Sequence, residues 1–314
     1  MHPMRAEVRT HSFGDLADLA GRQHGVVSRR QLEALAFGTA SVTRWAKDGR
    51  LHRIHRGVYA VGHTALSWEG YCMAAVLARP GSVASHKTAA WIWGLRRWRP
   101  ETMHVTAPTR QRAKRDFVVH FTRLAAEDQA VVEGIPVTSV ARTMLDLAPD
   151  ESTRNLHRMM DRAEERKTFD LRRFDRLLAR AGGHPGRVKL GHALDTFKPE
   201  HAVIRSEVER RFRDLVIAAG LPRPQTNVFV AGCELDAYWE AEAFAVEIDV
   251  FATHGSRVSF EEDRKRADDL LLAGIEMIRV TDVRLEREPR ETISRVAAHL
   301  ERRRRASGPR RSVA

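Results

Sequence analysis

The chain has 314 residues, which is too long for one small domain and favours two or three domains that each bury a core. Lys and Arg number 53 against 41 Asp and Glu, so the formal net charge of +12 excludes an acidic, disordered chain and favours a polyanionic partner such as DNA. The apolar runs are too short for a membrane span and the first residues lack the apolar stretch of a secretory signal, so we expect a cytoplasmic protein with no membrane segment.

Residues 13–62 are predicted to form three short helices followed by a hairpin. Ser28 starts the second helix and Thr39 is placed to cap the third, because both side chains can accept hydrogen bonds from a helix N-terminus. Two short strand-like runs at 51–54 and 58–61 flank a basic turn. Three helices and a basic hairpin together indicate a winged helix.

The third of these helices is the predicted DNA-contacting element. Val42, Trp45 and Ala46 form its inward stripe, so the outer face is short, polar and basic. The predicted DNA-binding residues lie on that face, directly after it and in the hairpin: Ser41, Thr43, Arg44, Lys47, Arg50, Arg53 and Arg56. A winged helix can also serve as a protein-interaction module, which is the alternative for this domain.

The middle of the chain gives weaker signals. Residues 63–148 mix apolar helices near 68–78 and 88–93 with strand-like runs, and we interpret them as a small α+β domain. Residues 149–199 are polar and rich in charged pairs at helical spacing, with a break at Gly182-Gly183-His-Pro185, and they predict a helical connector.

The C-terminal part has the clearest pattern, in the order α-β-β-β-α-β-α. The predicted elements are a helix at 204–219, strands at 226–230, 234–238 and 244–251, a helix from Ser259 to Gly274, a strand at 276–280 and a helix at 289–300. The predicted domain covers residues 200–303, and the basic residues at 304–314 are expected to form a disordered tail. The expected fold class is therefore α/β multidomain.

One predicted strand carries two acids on the same face. Side chains alternate along a strand, so Phe244, Val246 and Ile248 share one face while Glu247 and Asp249 share the other. If helices cover both faces, the two carboxylates are partly buried about 7 Å apart. Buried like charges need a cation or a shared proton.

A third acid, Asp236, ends the preceding predicted strand and can join Glu247 and Asp249 across a hairpin. Three converging carboxylates are a ligand set that suits Mg²⁺ and leaves water positions for hydrolysis. The alternative is an edge strand that faces solvent with ordinary surface acids.

Three further residues are candidates beside these acids. Arg264 shares a helix stripe with Ala267 and Leu271, which points it toward the sheet, where it can pair with the acids or stabilise a phosphate transition state. His254 can act as an acid or base near neutral pH, although most loop histidines are inert. Glu207 lies in the first turn of its helix, where a favourable interaction with the helix dipole is the alternative to a site role.

A set of residues between 200 and 303 is specific enough to indicate a family. It comprises Arg205-Ser-Glu207, Leu221-Pro-x-Pro224, Asn227, Asp236-Ala-Tyr-Trp239, Val246-Glu-Ile-Asp249, His254, Phe260-Glu-x-Asp263-Arg264-x-Arg266, Gly274 and Arg279-Val-Thr281. This pattern resembles the very-short-patch-repair-like (Vsr-like) endonucleases of the PD-(D/E)XK superfamily.

The resemblance implies a restriction-endonuclease-like α/β domain that hydrolyses phosphodiester bonds. Mg²⁺ or Mn²⁺ would be held by Asp236 and Glu247. The remaining candidates would assist catalysis: Asp249, His254, Arg264 and Glu207. Val250 stands where the family usually has Gly, and Asp249 stands where the superfamily has its catalytic Lys.

Two stretches in the predicted winged helix indicate another family. They are Gly25-Val-Val-Ser-Arg-Arg-Gln-Leu32 and Gly49-Arg-Leu-His-Arg-Ile-His-Arg-Gly-Val-Tyr-Ala60. They look like the winged-helix domain of AbiEi-type antitoxins, and the likeness covers residues 13–62 and, more weakly, the chain up to 148. It implies DNA binding and autoregulation of a toxin-antitoxin operon, with a cognate toxin or a second copy of the chain as protein partner.

Two functions follow from these patterns. The first is a DNA-binding protein with a Mg²⁺-dependent endonuclease domain, which the acid constellation favours. The second is an antitoxin-like transcriptional regulator whose nuclease fold is catalytically silent. Val250, the missing Lys and the antitoxin-like N-terminus favour this second function.

Overall fold

The computed structural model of the protein describes residues 13–110, 117–197, 200–249 and 257–306. The chain divides into two compact units. The first contains the residues up to Pro149 together with Glu165–Leu190, and the second contains Asp150–Glu164 together with the residues from Gly191 onward. The segment that the sequence predicts as a connector is thus shared between the units, and the finer domain boundaries stay predictions. In the described ranges, no helix combines the length and the apolar character needed to cross a membrane.

The first unit begins with a winged-helix region. Its elements are α1 (Phe13–Arg22), β1 (Val26–Ser28), α2 (Arg29–Ala34), α3 (Thr39–Lys47), β2 (Leu51–His55) and β3 (Val58–Val61). The strands form an antiparallel sheet in the order β1-β3-β2. The three helices and the hairpin are as predicted, and β1 is an addition. Leu16, Leu32, Val42, Trp45 and Leu51 form the core of this region.

The ends of its helices agree with the sequence prediction at one cap and differ at another. The Ser28 hydroxyl accepts a hydrogen bond from the backbone N–H of Gln31 at 3.3 Å, and Gln31 Oε1 accepts one from the backbone N–H of Ser28 at 2.8 Å. These two hydrogen bonds form a capping box. The prediction for Thr39 was wrong, because Gly38 occupies the cap position of α3 and makes no side-chain hydrogen bond. Ala46 is exposed and does not join the inward stripe.

The rest of the first unit is a mixed sheet with helices, so residues 63–148 contain the mixture of helices and strands that the sequence predicts. Its elements are α4 (Trp68–Leu77), β4 (Val83–Ala84), α5 (His86–Ile92), β5 (His104–Ala107), β6 (Val118–Phe121), β7 (Gln129–Val132), β8 (Ile135–Thr138) and α6 (Val140–Leu147). The sheet order is β6-β5-β4-β8-β7. Val26 and Val58 of the winged helix pack in one core with Met73, Val105 and Val137, so the two regions share a core.

Three helices follow: α7 (Thr153–Glu165), α8 (Leu171–Arg180) and α9 (Arg187–Thr196). Almost all of α7 belongs to the second unit and α8 belongs to the first.

The second unit is a four-stranded mixed sheet covered by helices. Its elements from residue 200 are α10 (Glu200–Ala218), β9 (Gln225–Val230), β10 (Cys233–Trp239), β11 (Phe244–Asp249), α11 (Arg257–Leu272), β12 (Glu276–Thr281), α12 (Asp282–Arg287) and α13 (Pro289–Ala306). The sheet order is β12-β11-β10-β9, in which β11 and β12 are parallel and the other pairs antiparallel. The predicted order of elements is present with α12 added.

Helices pack on both faces of this sheet. Phe244, Val246 and Ile248 lie in a core with residues of α10 and α13, whereas Ala245 lies in a second core with Leu270 of α11. The predicted alternation of β11 is therefore confirmed. The prediction of a disordered tail was wrong for residues 304–306, which continue α13. The rest of the predicted tail lies outside the described residues.

Three histidines stack beside the sheet of the first unit. The ring centroids of His86 and His120 are 3.5 Å apart, and His104 Nδ1 lies 3.0 Å from His120 Nε2. The pKa of His86 is lowered to about 3 and that of His104 to about 4, and burial is the largest cause of both shifts. Nearby cations and histidines contribute to the shifts: His120, His104 and Arg142 at His86, and His120, Lys87 and Arg96 at His104. Asp146 opposes the shift at His86.

We expect this stack to make the first unit sensitive to acid. Both pKa values are below the ordinary 6.5, so the unfolded chain binds protons at these histidines before the folded chain does. The stability of the first unit is therefore full above pH 6.5 and is lost as the pH falls toward 4. Each such group adds a slope of about 1.4 kcal/mol per pH unit. In urea unfolding between pH 7 and pH 4.5, His104→Gln should show a shallower pH dependence than wild type. The exposed His63→Gln is the control, and parallel curves for all three proteins would contradict this account.

A second prediction concerns the turn between α8 and α9. A Cβ on Gly186 would lie 2.3 Å from the Leu145 carbonyl oxygen and 3.0 Å from the Ala148 Cβ. We expect Gly186→Ala to destabilise the first unit by about 1–3 kcal/mol through overpacking. Gly182→Ala in the same turn meets no atom within 4 Å, and it should change the free energy of unfolding by less than about 0.5 kcal/mol. Equal effects in urea unfolding would show that this backbone contact is not tight.

Candidate functional site

The α3–wing surface consists of the outward side chains of α3 and of the β2–β3 hairpin. Most predicted DNA-binding residues are exposed on it: Thr43, Arg44, Lys47, Arg50, Arg53 and Arg56. Ser41 is half-buried. Val42 and Trp45 are buried beneath α3, and their packing fixes which face of the helix points outward.

This surface carries positive charge that is not neutralised by the carboxylates of the described residues. Among the described residues, no carboxylate forms an ion pair with Arg44, Lys47 or Arg50. Exposed cations without internal partners can replace the counterions of a phosphate backbone.

Arg29, which sequence analysis did not select, anchors this surface. Its guanidinium group donates to the Thr39 hydroxyl at the start of α3 and pairs with Glu33 at 2.8 Å. Its backbone N–H donates to the carbonyl of Gly57 at 2.6 Å. Gly57 has a φ of +76°, which favours glycine in the turn of the wing. One residue therefore connects α2, α3 and the wing.

The second unit brings two of the predicted acids together. Ala237 of β10 pairs with Val246 of β11, and the same antiparallel register sets Asp236 opposite Glu247. The side chains of Asp236 and Glu247 are 0% and 1% exposed. Asp236 lies within β10 and not at its end, because this strand continues to Trp239.

Two arginines and a backbone N–H hold the Asp236 carboxylate. Arg154 Nη2 lies 2.9 Å from Oδ2, Arg158 Nη2 donates to Oδ1, and the Ile248 N–H donates to Oδ2 at 2.7 Å. Arg154 Nη2 also donates to the Ile248 carbonyl at 2.7 Å. Burial raises the pKa of Asp236, but the charges of Arg158 and Arg154 outweigh burial and keep this pKa below its ordinary value.

Three guanidinium groups surround Glu247. Its Oε1 lies 3.1 Å from Arg154 Nη1 and 2.8 Å from Arg266 Nη2, and its Oε2 lies 3.3 Å from Arg279 Nε. None of these contacts has hydrogen-bond geometry within the described part of the chain. Burial raises the pKa of Glu247, but the charges of Arg154 and Arg266 outweigh burial and keep this pKa below its ordinary value.

Two of these four cations, Arg154 and Arg158, come from α7. Arg154, Arg158 and Arg162, the α7 arginine row, are spaced by four residues and so share one helix face. Arg162 pairs with the Glu234 carboxylate, and Arg158 Nη1 donates to the Glu234 carbonyl at 3.1 Å. Sequence analysis missed this row because it assigned residues 149–199, with their charged pairs, to a helical connector. The repeated spacing of four was the available signal.

The remaining candidate acids take different positions. Asp249 is half-buried at the end of β11. Glu207 is exposed and lies 3.8 Å from Arg210, so α10 does not place it with the buried acids. Glu209, which sequence analysis did not select, approaches Asp236 instead: burial, and then the charge of Asp236, raises its pKa.

The orientation of α11 also differs from the prediction. Arg264 is exposed, as are Ala267 and Leu271, whereas Arg266 and Leu270 are buried against the sheet. The predicted inward orientation of Arg264 was therefore wrong, and Arg266 supplies the inward cation. His254 lies outside the described residues.

The donors around Asp236 and Glu247 do not fit a divalent cation. The four guanidinium groups at this pair already occupy the space and carry more positive charge than the two acids compensate. Mg²⁺ requires several converging oxygen ligands, and adjacent cations repel it. Within the ranges that the structure describes, no group of three His, Cys, Asp or Glu side chains is arranged to hold a metal. The cation that the buried acids require is supplied by arginine.

The comparisons with protein families match the first part of the chain. Residues 15–62 match the family described as transcriptional regulator, AbiEi antitoxin, and residues 82–179 match the AbiEi antitoxin C-terminal domain family. The antitoxin resemblance is thus confirmed and extends beyond residue 148. Neither match enters residues 200–303, where the Vsr-like resemblance stays a prediction. No curated protein matches the chain.

The substitution Asp236→Asn distinguishes a structural ion pair from a metal site without its ion, because the two predict opposite changes in the free energy of unfolding. We expect Asp236→Asn to destabilise the second unit by about 3–5 kcal/mol, because it leaves Arg158 buried without its countercharge and Arg154 with Glu247 alone. At a metal site without its ion, the same substitution would relieve repulsion between acids and raise stability. Urea unfolding measures the difference, with the exposed Glu207→Gln as a control that should change the free energy of unfolding by less than about 0.5 kcal/mol.

Proposed function

We propose that this chain is a DNA-binding transcriptional regulator of the antitoxin type. The observation that carries the proposal is the α3–wing surface, whose exposed cations lie within residues that match a family of transcriptional regulators. The protein-interaction alternative for the winged helix is weaker, because the exposed large side chains of α3 and the wing are cationic and not apolar.

In this proposal α3 enters the major groove of DNA, which is wide enough to admit a helix. Thr43, with the half-buried Ser41, would contact base edges, while Arg44 and Lys47 contact phosphates or guanine. The wing arginines Arg53 and Arg56 would hold the flanking backbone.

A cognate toxin is the proposed protein partner. Residues 82–179 match a family named for the C-terminal domain of the AbiEi antitoxin, and we assign the toxin contact to this part of the chain. Copurification of the full chain with the product of an adjacent toxin gene tests the assignment. Loss of the complex on changing only the α3–wing surface would contradict it.

Metal-dependent phosphodiester cleavage is the second candidate function. The convergence of Asp236, Glu247 and Glu209 favours it, and the arginines around the first two acids count against it. In a plasmid nicking assay with Mg²⁺ or Mn²⁺, we expect the wild type to cleave no faster than Asp236→Ala and Glu247→Ala. Cleavage by the wild type that both variants abolish would establish the nuclease instead.

The DNA-binding proposal is tested by removing single cations from α3. We expect Arg44→Ala and Lys47→Ala to weaken binding to a duplex from the region upstream of the chain's own gene. Each lost phosphate contact should reduce the slope of log K against log salt concentration by about 0.9. Gel shifts at several salt concentrations measure both effects.

The matched control is Arg290→Ala, which removes the same charge from an exposed position in the second unit. If Arg44→Ala and Lys47→Ala bind DNA like Arg290→Ala at every salt concentration, α3 is not the DNA-contacting helix. A random duplex of equal length separates the loss of general affinity from the loss of specificity.

A further inference from the structure

The strongest unexplained feature of the second unit is the number of arginines at one buried acid pair. Asp236 and Glu247 are almost completely buried on neighbouring strands, and the cations that meet them come from α7, α11 and β12. We propose that Arg154 and Arg158 are resident cations that take the place of a divalent ion, and that removing both guanidinium groups opens a divalent-cation site at Asp236 and Glu247.

Arg154 occupies the bridging position that an ion would take. One planar guanidinium group contacts both acids: Nη2 lies 2.9 Å from Asp236 Oδ2 and Nη1 lies 3.1 Å from Glu247 Oε1. The rigid fork of arginine suits this double contact. Its side chain is 20% exposed, against 6% for Arg158, so Arg154 also lies on the solvent side of the pair.

Glu247 retains unused ligand capacity. Both of its oxygens are buried, and neither has a hydrogen-bond donor among the described residues. Its three ion pairs are therefore electrostatic contacts without the alignment seen at Asp236. A carboxylate held in this way can turn its oxygens to a hard cation when a guanidinium group leaves.

The charge balance explains why both arginines must be removed. With Arg154 and Arg158 present, four guanidinium groups face Asp236 and Glu247. Without them, only Arg266 and Arg279 remain beside the two acids, both of them at Glu247. The excess of positive charge at Asp236 and Glu247 is then removed, and with it the net repulsion of a divalent cation.

The test compares the wild-type full chain with Arg154→Gln/Arg158→Gln by calorimetry with Mn²⁺ alone and by thermal unfolding with Mn²⁺ or EDTA. We expect no binding to the wild type and no change in its Tm. The double variant should have a lower Tm, bind one Mn²⁺ per chain at least tenfold more tightly than the wild type and regain stability with Mn²⁺. Adding Asp236→Asn to the double variant should abolish that binding.

Two results would overturn the proposal. The first is stoichiometric Mn²⁺ binding by the wild type, which would make the acid pair a metal site despite the arginines. The second is a folded double variant that binds Mn²⁺ no better than the wild type. If the double variant does not fold in EDTA, its refolding on addition of Mn²⁺ replaces the binding measurement, and a double variant that stays unfolded with Mn²⁺ counts as the second result.

Discussion

Two buried carboxylates set the principal constraint on the second unit. Burying an ion costs several kcal/mol, and this penalty is offset only by close opposite charges and hydrogen bonds. Asp236 and Glu247 obtain these from arginines of three different elements. The strands β10 and β11 are therefore held to α7 by charge. The ionic contacts also satisfy backbone groups of Ile248 and Glu234.

The faces of β11 could be predicted from the sequence, but the partners of its acids could not. Alternation is a local property, and it placed Phe244 and Glu247 on opposite faces correctly. One partner of Asp236, Arg154, lies 82 residues away along the chain. A row of arginines at a spacing of four is equally compatible with a solvated helix face, and only the tertiary packing of α7 makes it a set of buried counter-ions.

The error at α11 has a different physical origin. Leu270, Leu271 and Leu272 are consecutive, so the apolar residues do not fix the rotational phase of this helix. Choosing Leu271 as the inward residue placed Arg264 toward the sheet. The structure buries Leu270 instead, and Arg266, one turn before it, then faces Glu247.

The winged helix could be predicted more fully because its determinants are local. A capped helix, a short amphipathic helix with two buried residues and a glycine turn are all visible within a few residues of sequence. The strand β1 was missed since three residues are too few to alternate, and its pairing with β3 is non-local. The exposed cations of α3 were predicted because Val42 and Trp45 leave only one outward face.

The acid motif of residues 200–303 is thus compatible with two physical solutions. A divalent ion can neutralise the carboxylates and then activate water, or guanidinium groups can neutralise them and act only as structural counter-ions. Arg154 and Arg158, which both contact Asp236, lie upstream of the motif. A resemblance confined to the motif therefore predicts less about the chemistry than about the fold. The charges that distinguish the two solutions belong to α7, which lies outside the motif.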